Sequence, residues 1–210
     1  QLSAERLRRK YAGEITSDAE TFERCIDTIM RQVLDIRRMV DEFSTFARMP
    51  TPTLAEENLS QIAREIAYSQ RIAFADTRFE VSGDDKPIVV ACDGRLIAQA
   101  LTNVTKNAAE AIETRREREG EPKEGLIQIR LSDLGQTTSI EVIDNGIGFP
   151  GAERARLVEP YVTTRAKGTG LGLAIVQRVI EDHGGALELE DAPGPGPGAL
   201  VRILLPKQQN

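Results

Sequence analysis

The most regular hydrophobic pattern lies near the start of the chain. Phe22, Ile26, Ile29, Val33, Ile36, Val40 and Phe43 recur in alternating steps of four and three. That is the seam of a heptad repeat, sustained over about three heptads. The spacing predicts one long helix from about Ser17 to Arg48. A capping box of Ser17 and Glu20 opens it, and Pro50 and Pro52 end it. Residues 1–12 read as the end of an amphipathic helix, stopped at Gly13. The two helices make a hairpin. The first is too short to cover the apolar stripe of the second, so further helix, a second chain, or both must complete it. A four-helix dimer bundle fits.

From Thr53 the pattern changes to mixed α and β. Asn58–Gln61 offers a helix start, with the helix running to about Arg71. TRFEVS (77–82) and PIVVAC (87–92) read as strands. Asp93 opens a helix whose inward positions include Leu96, Ala100, Leu101, Val104, Ala108 and Ile112. RREREGEPKEG (115–125) reads as a solvated loop. GLIQIRLSDLG (125–135) and TTSIEVID (137–144) alternate apolar and polar residues and predict a hairpin. LGLAIVQRVIEDHGG is a helix closed by Gly184 and Gly185. ALELED and ALVRILL form a last hairpin around PGPGPG. The expected fold is α+β: a helical hairpin, half of a four-helix dimer bundle, then a two-layer α/β sandwich with helices on one face of a mixed, mainly antiparallel sheet. The expected division is a hairpin over 1–49, a linker over 50–57 and an α/β domain over 58–210.

Composition narrows the partners more than the fold. Apolar residues make up 40% and charged residues 29%, ordinary for a globular chain. A net charge of −6 disfavours nucleic acid as a partner. No apolar run reaches the roughly 20 residues that cross a bilayer. Cys25 and Cys92 read as reduced core thiols of a cytoplasmic protein. The chain begins inside a helical pattern, so a piece of something longer is expected.

Three strings carry candidate chemistry: NVTKNAAEA (103–111), DNGIGF (144–149) and KGTGLGL (167–173). Asp144 stands where an apolar strand gives way to a loop, placed to accept from the exocyclic amine of adenine. Gly146 and Gly148 permit positive φ and close approach of a flat base. Alone, the string also fits an ordinary turn. Asn103 and Asn107 share one helix face. A neutral amide oxygen suits Mg²⁺, and a buried polar pair is the alternative. Gly168, Gly170 and Gly172 precede an apolar helix, so backbone amides and the helix dipole favour phosphate there. The string matches neither a Walker A loop nor a dinucleotide fingerprint. The preceding EPYVTTRAK could close over a triphosphate.

These strings resemble the N, G1 and G2 boxes of sensor histidine kinases, and EPYVTTR resembles their F box. The likeness covers essentially the whole chain and is greatest to nitrogen-regulation sensors of the NtrY and NtrB type. It implies the ATP-binding (GHKL, or Bergerat) fold shared with gyrase and MutL. It further implies that Asp144 reads adenine and Asn107 ligates Mg²⁺ beside Asn103 and Lys106. Gly146 and Gly148 would border the base. Tyr161, Thr163, Thr164, Arg165, Lys167, Gly168 and Thr169 would form a mobile lid, with Gly170, Leu171 and Gly172 at the phosphates. The implied reaction moves the γ-phosphoryl group of ATP to a histidine, then to an aspartate of a response-regulator receiver domain. The implied assembly is a homodimer through the hairpin, in the cytoplasmic part of a membrane-anchored bacterial sensor. Asn103 stands where hydrolytic relatives carry a water-activating Glu. A hydrolytic ATPase of this fold and a nucleotide-regulated docking module are the alternatives. The only histidine, His183, lies at a helix end far from the expected acceptor position. The implied acceptor lies upstream, so this piece is expected to bind nucleotide without phosphorylating itself.

Overall fold

The computed structural model describes residues 2–15, 18–83, 86–120, 124–151, 154–163 and 168–207. The chain divides into two compact units: Gln1–Met49 with Arg165–Thr169, and Pro50–Thr164 with Gly170–Asn210.

The first unit is a helical hairpin. Helix α1 spans Leu2–Tyr11 and helix α2 spans Ala19–Ala47. An Arg8–Asp27 ion pair of 3.3 Å joins them across the turn. Ser17, half of the expected capping box, lies outside the described residues. The α2 N-cap is Asp18, whose side chain makes no capping bond. Along the heptad seam only Ile26 is buried, while Ile29, Ile36, Val40 and Phe43 stay exposed. A 10-residue helix cannot cover a 29-residue one, which leaves the distal stripe bare. Cys25, expected in a core, is exposed.

The second unit is an α/β sandwich. In chain order it runs β1 (Ala55–Asn58), α3 (Leu59–Ala73), β2 (Thr77–Ser82), β3 (Val89–Cys92), α4 (Gly94–Glu119), β4 (Gly125–Asp133), β5 (Thr137–Asp144), α5 (Gly172–Asp182), β6 (Ala186–Asp191) and β7 (Ala199–Pro206). A 3-10 turn at Arg154–Val158 precedes α5. The main sheet has the order β2-β4-β5-β7-β6. Only β2–β4 is parallel, and α4 lies in its crossover; every other pair is antiparallel. Mixed and mainly antiparallel is therefore the right description.

Alternation along the strands separates the faces. Ile129, Val142 and Val201 pair in register and are buried on the helix side with Leu96, Leu101, Ile112, Val176 and Ile180. The other face carries charge. Arg202 reaches Glu141 at 2.9 Å and Glu188 at 2.8 Å, across both neighbouring strands.

Local chemistry sets the helix ends. Asn58 Oδ1 accepts from the Gln61 amide at 3.1 Å, capping α3. Gly120 closes α4 at φ 68°, and Gly184 closes α5 at φ 69°. Two sequence boundaries differ. Residues 115–119, expected in a loop, complete α4. Residues 55–57, expected in a linker, form β1, which pairs antiparallel with β3 from Ala55↔Cys92 to Asn58↔Val89. Charged helix turns and short edge strands carry little apolar periodicity, so neither was legible.

Candidate nucleotide site

Helix α4 is the spine of the site. Its register places Asn103 and Asn107, both half-buried, one turn apart. Lys106 lies beside them and pairs with Glu110 at 3.9 Å. The first residue of α5, Gly172, lies against Asn107: a Cβ there would sit 3.5 Å from Nδ2 and 3.7 Å from Oδ1. One turn further along α4, Gly146 meets its backbone. A Cβ on Gly146 would fall 2.7 Å from the Ala111 carbonyl carbon and 2.8 Å from the Ile112 nitrogen. The Ile147 amide donates to the Ala111 carbonyl at 3.3 Å. All three strings thus converge on one helix.

Asp144 ends the central strand β5 and is 6% exposed. Its Oδ1 accepts from the Gly146 amide at 2.8 Å and the Ala199 amide at 3.4 Å. Two amides on one oxygen fix the plane of the carboxylate. Gly198, in the loop before β7, fits so closely that a Cβ would fall 2.2 Å from the Asp144 carbonyl oxygen. Asn145 staples the strand end: Oδ1 accepts from the Leu126 amide at 2.8 Å and Nδ2 donates to the Glu124 carbonyl at 3.0 Å. Of the two glycines expected at positive φ, Gly148 has it, at 78°. Gly146 does not, and its missing Cβ serves close approach to α4 instead.

The loop before α5 is pinched at its base. The Tyr161 amide donates to the Gly170 carbonyl at 3.1 Å. Both residues sit at positive φ, 67° and 71°. A Cβ on Gly170 would lie 2.5 Å from the Tyr161 carbonyl carbon. Tyr161 is the only described non-glycine with positive φ, and such strain concentrates at ligand clamps and switch segments. Leu171 is buried and caps α5 without a side-chain bond. Thr163 is exposed, and Gly168 and Thr169 are half-buried. Thr164, Arg165 and Lys167 lie outside the described residues.

Sequence reasoning missed a polar node at the start of α4. Asp93 caps the helix through the Arg95 and Leu96 amides, 3.1 Å each. It also accepts from the Thr53 amide at 3.1 Å. Burial works to raise its pKa. The Thr53 and Leu96 amides and the Arg95 guanidinium outweigh that and hold the carboxyl below its ordinary range. The Asp93 amide donates to His183 Nε2 at 2.9 Å. His183 Nδ1 lies 2.7 Å from the Val179 carbonyl, so the ring is the Nδ1–H tautomer. The cap signal at Asp93 was visible in the sequence; its partners, 40 and 90 residues away, were not.

A strand-end carboxylate, a helix amide and a glycine turn are thus gathered on one side of an α/β sandwich. Residues 92–209 match the family model described as histidine kinase-, DNA gyrase B- and HSP90-like ATPase. The chain belongs to this family. It is 50% identical over 210 residues to the nitrogen regulation protein NtrY of Azorhizobium caulinodans, covering 98% of this chain and 26% of that protein. The chain spans about a quarter to a third of the curated relatives it matches. Among solved structures, the mycobacterial sensor histidine kinase MprB is 28% identical with a TM-score of 0.63, covering 75% of this chain and all of that one. Histidine kinase ThkA in complex with the response regulator TrrA reaches a TM-score of 0.72 at 22% identity, covering 98% of this chain and 57% of that one. At that identity the likeness speaks for the fold.

Proposed function

We propose that the α/β unit binds Mg²⁺–ATP and supplies its γ-phosphoryl group to a histidine, for relay to the aspartate of a response-regulator receiver domain. The observation that carries this reading is the convergence of the three strings on α4. Asp144, oriented by two amides, accepts from the adenine amine. Gly146 and Gly148 set the loop beside that carboxylate, Gly146 packed on the Ala111 backbone and Gly148 against Gly198. Asn103 and Lys106 flank Asn107. The glycine turn and the start of α5 face the phosphates, and the loop from Tyr161 through Thr163, Thr164, Arg165, Lys167, Gly168 and Thr169 closes as a lid.

The residues present suit a magnesium ion held jointly with the phosphates. Among the described residues no group of three or more His, Cys, Asp or Glu is placed to hold a metal ion. The oxygen donor at the site is the neutral Asn107 amide, which lies against the glycine turn. Mg²⁺ takes few protein ligands and keeps water and phosphate oxygens. When bound, it would neutralise charge on the phosphates. The chain's own residues position the nucleotide, and positioning dominates phosphoryl transfer. The Asn103 amide cannot take a proton from water, which favours a side-chain acceptor over hydrolysis.

His183 is not that acceptor, being buried with both ring nitrogens engaged. The 210-residue piece is therefore expected to bind ATP without labelling itself. The exposed α2 stripe supports a homodimer through the hairpin. No helix among the described residues is long and apolar enough to cross a membrane. The proposed use of ATP and of a receiver domain supports the reading that this chain works on the cytoplasmic side, as part of a membrane-anchored sensor.

Titration with Mg²⁺–ATP tests the reading. Asp144→Asn is expected to weaken binding by about 10- to 100-fold, the scale of a hydrogen bond to a charged group. Unchanged affinity would sink the assignment.

A further inference from the structure

The nucleotide site leaves the far end of α4 unused. Asp93 is 6% exposed, and its two oxygens have different partners. Oδ1 makes the helix cap with Arg95 and Leu96. Oδ2 accepts from the amide of Thr53 at 3.1 Å. A helix cap needs only the first. Thr53 lies between the end of α2 at Ala47 and the start of β1 at Ala55, in the stretch that joins the two units. Through its own amide Asp93 also holds His183, which closes α5. One residue thus ties the joining segment to both helices that bear the nucleotide motifs, its carboxylate holding Thr53 and α4 and its amide holding His183.

We propose that Asp93 is a positioning residue for phosphoryl transfer, whose bond to Thr53 clamps the joining segment to the α/β unit and fixes where the chain leaves it. The proposal rests on the kinase reading above. Between Ala47 and the clamp lie only Arg48–Pro52, with proline at 50 and 52. Proline fixes φ, so this tether is short and stiff. Losing the clamp frees the chain to Ala55, adding two residues, or roughly 7 Å of reach. A fixed exit becomes a searched one, and the effective concentration of the acceptor at the phosphate falls.

The test uses the full-length kinase with its acceptor histidine. Asp93→Asn keeps an oxygen to cap α4, while its Nδ2 presents a donor to the Thr53 donor and to the exposed Arg95 guanidinium, 3.5 Å from Oδ2. Thr53→Pro removes the same bond from the other side. Each variant is expected to slow transfer at saturating ATP on the order of tenfold, the scale of one charge-assisted hydrogen bond. ATP affinity is expected to stay within about twofold, because the bond lies outside the pocket. The double variant is expected to be no slower than Asp93→Asn alone, since Thr53→Pro removes a bond that variant already lacks. Hydrogen exchange across residues 50–55 reads the clamp independently of activity: slow at Thr53 in the wild type, fast in Asp93→Asn. Fast exchange in the wild type overturns the clamp. Accelerated exchange with an unchanged transfer rate overturns the positioning role and leaves the nucleotide reading standing. Equal losses of affinity and rate locate the effect in the pocket and overturn the proposal too. A wild type that neither binds ATP nor transfers phosphate fails the kinase reading and the positioning role together.

Discussion

Gly146 and Gly170 are required for different reasons. Gly146 needs no unusual φ; a side chain there would strike the α4 backbone within 3 Å. Gly170 needs both a positive φ and the space taken by Tyr161. Gly146→Ala is expected to cost about 1–3 kcal/mol by overpacking, seen as a lower denaturation midpoint with an unchanged slope. Gly170→Ala is expected to cost about as much through strain and also to weaken ATP binding, because it opens the Tyr161–Gly170 pinch before α5. A Gly170→Ala variant with wild-type affinity would show that the pinch has no part in binding. The two thiols differ as sharply. Burial first, then the nearby Glu57 and Asp93 carboxylates, push the Cys92 thiol up to about 12, whereas Cys25 is exposed. A thiol reagent at neutral pH is expected to label Cys25 quickly and Cys92 only on unfolding. Rapid labelling of both would contradict the packing around β3.

Helix α4 and helix α2 show what sequence patterns can and cannot specify. The α4 pattern was readable through Ile112, where apolar residues recur at helical spacing. Its last turns, rich in Arg and Glu, lack that signal and were read as loop. In the structure an Arg115–Glu119 pair of 3.1 Å and the αL residue Gly120 complete them. Arg115 also donates to the Asn145 carbonyl at 2.9 Å, so this charged end braces the loop that follows β5. In α2 the heptad seam was legible and its cover was not. Ile36 is 59% exposed and Phe43 is 47% exposed, a stripe that water disfavours. Val40→Asp is expected to shift the hairpin-bearing chain toward monomer, read as a fall in mass by sedimentation at micromolar concentration. A wild type already monomeric there would remove the stripe as a dimer surface.

At the scale of the whole molecule, stability should depend on pH through two groups near the start of α4. The Asp93 carboxyl has a folded pKa below the unfolded value of 3.8. Between those values the unfolded chain binds more protons, so stability rises with pH. The Asp93 contribution is complete above about pH 4 and is lost as pH falls through the folded value. Asp93→Asn is therefore expected to flatten the acid limb of a stability–pH curve. Cys92 acts oppositely. Its thiol titrates near 9.0 when unfolded and about 12 when folded. Above pH 9 the unfolded chain loses the proton first, so stability falls as pH rises. Cys92→Ala is expected to remove that alkaline slope. Chemical denaturation at a series of pH values checks both, and an Asp93→Asn variant with the wild-type acid limb would refute the first.

Local pattern along the chain was enough to set most of the elements and the order of the motifs. Those depend on local periodicity, caps and short strings, where the physics acts within a few residues. Strands β2 to β7, the caps at Asn58 and Asp93 and the helix closure at Gly184 were all legible on those grounds. Only the tertiary structure decided that Asn107 meets Gly172, that Gly146 rests on Ala111, that Ala199 orients Asp144 and that Thr53 is held by Asp93. Each is a contact between residues distant in sequence, fixed by the packing of α4 and α5 on the sheet. Periodicity reports which face of an element is buried; it carries no information about which partner buries it.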